Sequence, residues 1–551
     1  MFTPEALQSL QADLGRDCLA FLPELILCGG IVLLLLLRLV RVFDRLHLGW
    51  VALLLGGASL LAACLQWRGA YGLEAPGHYG GSLPIFSGLL VYDNFTVFLR
   101  LFLIFFGCLM VWLTLLTGIP DREDSADFYC LLFGATLGMC IMASANHLLM
   151  VFIGVEMASL PSYALAGFLK GRRQSSEASL KYVVYGGGAS GVMLYGISLL
   201  AGKFGTASLP ALAQAYIQAM HPGTSASADA VLVLGTLFLI IGLAFKLAAV
   251  PFHFWCPDVF EGASAEVAGF LSVASKGAAL ALFARIVFAF GGGVEKAVNS
   301  DAVAGYLVPT IALFAAVTAT FGNLAAYMQT NLKRLLAYST IAHAGYMMMG
   351  LAPLTTDGAA AVLFYLIAYL FMNLGAFAVI AFLRNQTGSE ELSDFRGLVR
   401  RAPVLTITLA VFLLSLLGLP PLAGFAAKFQ IFRVLYEGGQ TWAAHGKPVL
   451  AGWLYALLVI GGLNTVLSVV YYLKVMKVMI LETTLEEVEG RPSPPLVAPG
   501  GSILFASLLA VVILVVGILW DPLARLSDRG VYRFNEAPAK AVAQNATEVR
   551  Q

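Results

Sequence analysis

Runs of apolar residues, each long enough to cross a bilayer, follow one another along this chain with short polar breaks between them. Spanning the roughly 30 Å hydrocarbon core takes about 20 predominantly apolar residues. That measure marks fourteen segments, at 20–40, 48–67, 89–117, 128–146, 148–169, 180–202, 230–250, 264–290, 303–327, 335–352, 359–383, 403–436, 451–480 and 502–520. The pattern predicts an all-α polytopic membrane protein of about fourteen transmembrane helices.

Two segments depart from a simple span. The twelfth is too long for one straight crossing, since about 34 residues at 1.5 Å each extend roughly 51 Å. Gly418-Leu419-Pro420-Pro421, followed by Gly424, marks a break there, because proline removes a backbone donor and clashes with the preceding turn. Pro251 breaks the seventh segment in the same manner and leaves the carbonyl of Leu247, next to Lys246, without its helical partner. Free carbonyls at membrane depth are tolerated only where they line a polar cavity or are buried in protein.

A shift of about 180 residues lays segments 4–8 over segments 9–13. Five helices is an odd number, so the second copy must run inverted, and inverted repeats with discontinuous helices mark ion and substrate pathways in transporters. The expected organisation is an N-terminal three-helix region (1–127), a first antiporter-like repeat (128–290), a second, inverted repeat (303–480) and a C-terminal helix and tail (481–551).

Charge sets the orientation. Lys and Arg accumulate in cytoplasmic loops, and here they follow the odd-numbered segments: Arg38/Arg41/Arg45, Arg122, Lys170/Arg172/Arg173, Lys333/Arg334, Arg384/Arg396/Arg400/Arg401 and Arg491. Loops after even-numbered segments carry little beyond Arg68, Lys203, Lys296 and Lys447. Both termini are therefore expected on the periplasmic side. The N-terminus lacks a basic start and a small-residue cleavage pattern, so the first segment is expected to be retained as a span.

Composition narrows the function. The chain is 59% apolar and 12% charged with a formal net charge of +1, which leaves no concentrated basic surface for nucleic acid. The seven cysteines (18, 28, 64, 108, 130, 140 and 256) form no Cys-x-x-Cys pair, a spacing that fits neither a disulfide framework nor a zinc or iron–sulfur site. Gly186-Gly187-Gly188 lies in an apolar helical run, where small residues allow close helix approach, rather than after a strand as a nucleotide fingerprint would. No redox cofactor is expected in this chain.

Its chemistry should reside in ionisable groups inside the apolar segments, which are rare and functional by default because burying a charge in hydrocarbon costs several kcal/mol. Lys246 and Lys428 each lie beside a proline break, 182 residues apart. Glu156 sits near the middle of the fifth segment with Ser159 and Tyr163 on its face, and Lys276 lies deep in the eighth, one turn after Ser272. The plain alternatives are a hydrogen-bonded core carboxyl for Glu156 and snorkelling to the interface for Lys246 and Lys428. His343 in the tenth segment is a relay candidate, although a lone histidine on an apolar helix is as often a satisfied core residue. His253 suits a loop near the membrane edge. Glu24, Asp93 and Arg100 read equally well as neutral pairs or interface anchors, and Glu177 with Lys181 as an ordinary i,i+4 pair.

Several strings together carry a resemblance: Met142-Ala-Ser-Ala-Asn146, Gly154-Val-Glu156-Met with Leu160-Pro-Ser-Tyr163, Ser176-Glu-Ala-Ser-Leu-Lys181-Tyr, Pro251-Phe-His-Phe-Trp255-Cys-Pro-Asp258-Val after Phe245-Lys246, Asn331-Leu-Lys-Arg-Leu-Leu-Ala-Tyr-Ser339 with Ile341-Ala-His343-Ala-Gly-Tyr346, and Gly418-Leu-Pro-Pro-Leu-Ala-Gly-Phe425 before Lys428. Over nearly its whole length the chain resembles the antiporter-like membrane subunits of respiratory complex I, the proton-translocating NADH:quinone oxidoreductase. The M type of that family carries glutamate where this chain has Lys428, and the L type extends into a long lateral helix, so the N type is the one implied. The resemblance implies that Glu156 pairs with Lys246, that Lys276 links them to the central axis, and that Lys428 ends a second half-channel. It also implies neighbouring membrane-arm subunits on both sides, contact with lipid, proton transfer in a bacterial inner membrane, and NADH, FMN, iron–sulfur clusters and quinone held by partner subunits. A subunit of a multisubunit cation/proton antiporter is the alternative, and a non-pumping structural spacer a third reading that the buried charges disfavour.

Overall fold

The computed structural model describes residues 13–40, 47–69, 82–219, 230–291, 301–484, 495–532 and 534. Helices occupy every apolar segment. They are α1 (Leu22–Leu39), α2 (Gly49–Trp67), α3 (Asn94–Thr117), α4 (Ser125–Ser144), α5 (Leu148–Ala166), α6 (Arg173–Phe204), the short α7 (Leu209–Ala219), α8 (Ala230–Leu247), the short α9 (Trp255–Gly262), α10 (Ala265–Gly291), α11 (Asp301–Ala326), α12 (Leu332–Leu351), α13 (Thr356–Thr387), α14 (Pro403–Leu417), α15 (Ala423–Ala444), α16 (Pro448–Ile480), α17 (Gly500–Ile518) and α18 (Asp521–Val531). Twelve of these are long and apolar enough to cross a membrane. The tenth segment, α12, is more polar, and the twelfth is divided into α14 and α15 on either side of Pro420-Pro421.

Two boundaries differ from expectation. The third segment does not begin at residue 89: Leu90–Tyr92 is a strand, β2, paired antiparallel with β1 (Leu83–Ile85). The helix starts only after Asp93, whose carboxylate accepts the Thr96 N–H at 2.7 Å and caps α3. The sixth segment is longer than its apolar run, because α6 continues through the polar residues from Arg173. Arg41, Arg45, Lys296, Arg491 and both termini lie outside the described residues, so the loop-charge argument is carried here by the other basic residues.

One packing pattern occurs twice. α4 packs on α5 and on α10, α6 on α8, and α8 on α10; likewise α11 packs on α12 and on α16, α13 on α15, and α15 on α16. α10 and α13 are the most enclosed spans, each 89% buried, and meet along the middle of the bundle. Polar groups along the middle of these two helices, Ser272, Lys276 and Asn373 among them, are buried. In the outer spans a third of the residues or fewer are buried, as in α1, α6, α16 and α17, and their apolar faces are open to lipid or neighbouring protein.

Candidate functional site

Each break is built by the same local sequence logic. Pro251 and Pro421 have no N–H, so the carbonyls four residues earlier, of Leu247 and Leu417, lose their helical donors. Both leucines end their helices, and the next residue is left-handed in each case: Ala248 at φ 53° and Gly418 at φ 91°. A buried lysine takes each freed carbonyl. Lys276 Nζ donates to Leu247 O at 3.2 Å, and Lys428 Nζ donates to Leu417 O at 2.8 Å. Sequence reasoning had placed the Leu247 carbonyl beside Lys246; the packing of α10 on α8 brings it to Lys276 instead.

Lys246, Lys276 and Lys428 are 2%, 1% and 3% exposed, so none extends to a membrane surface. This removes the snorkelling alternative for Lys246 and Lys428. Lys276 stands at the end of a π-helical turn, Leu271–Ser275, whose wider pitch changes the face on which the following residues emerge. Its ammonium also lies 5.7 Å from the centre of the Trp255 ring and 3.8 Å from Cys256 Sγ. Trp255 is fixed by donating from Nε1 to Phe245 O at 3.0 Å and by stacking on Tyr182 at 4.4 Å. Lys428 lies over the Tyr346 ring, 4.7 Å from its centre.

Glu156 and Lys246 do not touch. Lys246 Nζ and Glu156 Oε1 are both buried without a hydrogen-bond partner. Ser159 turns its hydroxyl back to the Val155 carbonyl rather than toward Glu156. Tyr163 packs edge-on against Tyr182 at 4.6 Å, and its hydroxyl is accommodated by Gly186, where a Cβ would lie 2.0 Å away. Of the glycine triplet only Gly186 has this packing role, since Gly187 and Gly188 face open space.

In the second half of the bundle His343 is held by hydroxyl groups. His343 Nδ1 lies 2.7 Å from Tyr365 Oη and its Nε2 3.3 Å from Tyr472 Oη, which in turn lies 2.6 Å from Ser339 Oγ. Between the halves, Asn373 on α13 donates to Ser272 Oγ at 2.5 Å. Tyr365, Tyr472 and Asn373 were not singled out from sequence. Asn373 alone offered a signal, as an amide in a long apolar helix.

Other candidates fall elsewhere. Glu24 and Arg100 form a buried pair at 2.5 Å, supported by donation from Arg100 to Gln66 Oε1 and Ala20 O, each at 2.9 Å. Asp93 binds Arg285 through two hydrogen bonds at 2.8 and 3.0 Å. His253 is in the turn after the break but is buried against Phe321, not at an edge. Lys181 is no simple i,i+4 partner: it bridges Glu177 and Asp258 (2.8 and 2.7 Å), and Arg334 binds Asp258 and Glu261 (2.7 and 2.6 Å), so the network ties α6, α9 and α12 together.

A bundle with two broken helices and buried lysine, carboxylate and histidine side chains has the build of an antiporter-like membrane protein. Known proteins agree. The model of the NADH:quinone oxidoreductase/Mrp antiporter transmembrane family matches residues 145–452. The chain is 40% identical over 529 residues to NADH-quinone oxidoreductase subunit N of Anaeromyxobacter sp., covering 94% of this chain and 97% of that protein. It is 39% identical to subunit N 2 of Sorangium cellulosum, over 93% of this chain and 96% of that one. This chain belongs to the NADH-quinone oxidoreductase subunit N family. Among solved structures, a chain of respiratory complex I from Thermus thermophilus superposes with a TM-score of 0.69 at 30% identity, covering 92% of this chain and 99% of that one. A chain of the Mrp complex from Dietzia sp. shares the fold, with a TM-score of 0.74 at 21% identity over 94% of this chain and 97% of that one.

Proposed function

We propose that this chain is a proton-translocating membrane-arm subunit of a bacterial NADH:quinone oxidoreductase, moving protons along Glu156, Lys246, Lys276, His343 and Lys428 while quinone is reduced in partner subunits. NADH, FMN and the iron–sulfur clusters belong to those partners in this reading, and further membrane-arm subunits flank the chain on both sides in the inner membrane. The two recurring packing sets are read as repeats of inverted orientation, 128–290 and 303–480, with both termini periplasmic.

The observation that carries the proposal is the placement of Lys276 and Lys428 on carbonyls freed by Pro251 and Pro421. Desolvation favours a neutral amine, whereas a hydrogen bond to a carbonyl favours the ammonium. A lysine held between these opposing effects, with no carboxylate in contact, can be switched by a change in a nearby charge. For Lys246 that charge is Glu156. The antiporter-complex alternative has a shared fold and a family model common to both groups behind it, whereas subunit N relatives match at 39% and 40% identity along nearly the whole chain.

The test is redox-driven proton uptake by purified complex in sealed vesicles. Glu156→Ala and Lys246→Ala should each lower pumping several-fold in complex that still assembles, because each group's charge sets the other's proton affinity. Normal pumping in both variants, with normal assembly, would exclude the pair from the pathway.

A further inference from the structure

We infer that Cys256 is a positioning residue for the central lysine, holding Lys276 in either protonation state; the inference rests on the proton-transfer reading above. Cys256 is wholly buried, directly after Trp255 at the start of α9, and its Sγ lies 3.8 Å from Lys276 Nζ. Three groups surround that nitrogen: the Leu247 carbonyl at 3.2 Å, the Cys256 thiol, and the Trp255 ring at 5.7 Å. No carboxylate pairs with Lys276 among the described residues.

These neighbours differ in what they offer. A carbonyl can only accept, and an aromatic face attracts only a cation. Both interactions favour the ammonium and are weakened when the proton leaves. A thiol is a weak acceptor and a weak donor, so Cys256 can accept from the ammonium and then, by rotation about Cβ–Sγ, donate its S–H to the neutral amine. It is the one contact in this set that can donate to the lone pair of the neutral amine. The thiol keeps its proton throughout, so no covalent change or net transfer through sulfur is involved.

Cys256 is held to this task by its surroundings. Its N–H donates to His253 O at 2.9 Å, and Pro257 follows it in the chain. The titratable groups facing it are Lys276 from α10, Tyr182 from α6 and Tyr369 from α13, and His253 of the turn faces Lys276. Tyr369 donates to Thr340 Oγ1 at 3.0 Å, whereas the Tyr182 hydroxyl is buried and unpartnered. Neither is in hydrogen-bond contact with Lys276.

The experiment compares Cys256→Ala, Cys256→Ser and Lys276→Ala in the whole complex in vesicles, reading assembly, protons moved per NADH oxidised, and the pH profile of pumping. Cys256→Ala should lower the pumping rate by about twofold to threefold, the low end for a hydrogen bond because the thiol is a weak partner, and should displace the pH profile. Cys256→Ser should restore most of the rate, since a hydroxyl also donates and accepts. Were sulfur merely filling space, alanine would change the amount of assembled complex without moving the profile. Wild-type rate and profile in Cys256→Ala, together with loss of pumping in Lys276→Ala, overturns the role of Cys256 alone. Normal pumping in Lys276→Ala overturns the proton-transfer reading beneath it.

Discussion

At the scale of single residues, the decisive feature of Lys428 is what its ammonium meets. Nζ reaches the Leu417 carbonyl, the ring of Tyr346 lies beneath it, and its stem crosses Gly418. Arginine would keep the charge at every working pH and replace a compact ammonium with a planar fork. Lys428→Arg is therefore expected to allow assembly yet impair pumping, as is Lys428→Met; a purely electrostatic anchor would tolerate arginine and fail only with methionine. Proton uptake and quinone reduction measured side by side separate the two. Gly418 gives a second check. At φ 91° a side chain is strained by roughly 1–2 kcal/mol, and a Cβ would lie 2.9 Å from Lys428 Cδ. Gly418→Ala should thus lower thermal stability modestly and pumping more strongly, because the lysine must move. Unchanged pumping in this variant would show that the position of Lys428 over the break is not used.

The elements show how much of this was written locally. Proline fixes its own φ and removes its own N–H wherever it stands, so the breaks after Leu247 and Leu417 could be read from Pro251 and Pro420-Pro421 without any neighbour in view. The left-handed residue after each helix could not. Ala248 adopts φ 53°, a conformation that costs a non-glycine residue of the order of 1–3 kcal/mol and persists only where packing imposes it. Nor did sequence reveal the π-helical turn before Lys276, since Leu271–Ser275 has no composition that distinguishes it from the α-helix on either side. Pro251→Ala tests the element directly. It restores an N–H that competes for the Leu247 carbonyl, so pumping should fall while the amount of assembled complex stays near normal. A fully active Pro251→Ala complex would mean that the carbonyl is dispensable to Lys276.

For the molecule as a whole, orientation is the property still to be measured. Basic residues gather at one end of the bundle, and several are tied into ion pairs there, with Lys333 on Glu390 at 2.8 Å and Arg384 on Glu266 at 3.2 Å. The Lys/Arg bias predicts that this end faces the cytoplasm. Tags at both termini should accordingly be accessible from the periplasm, and a tag inserted between Gly388 and Arg401 only from the cytoplasm. Termini found on opposite faces would require an odd number of crossings and dismantle the inverted-repeat reading. What the sequence determined by itself was the set of apolar segments, the two breaks, and which ionisable residues lie within those segments, because partitioning into hydrocarbon and loss of a proline N–H act residue by residue. What only the tertiary structure decided was the pairing: Lys276 rather than Lys246 on the Leu247 carbonyl, Arg285 on Asp93, Asn373 on Ser272, and Tyr365 and Tyr472 on His343. Each of these contacts joins separate elements of the chain. Their rotation and depth are set by side-chain packing on faces that are apolar nearly all the way round, and a pattern without a polar stripe does not specify which face turns inward.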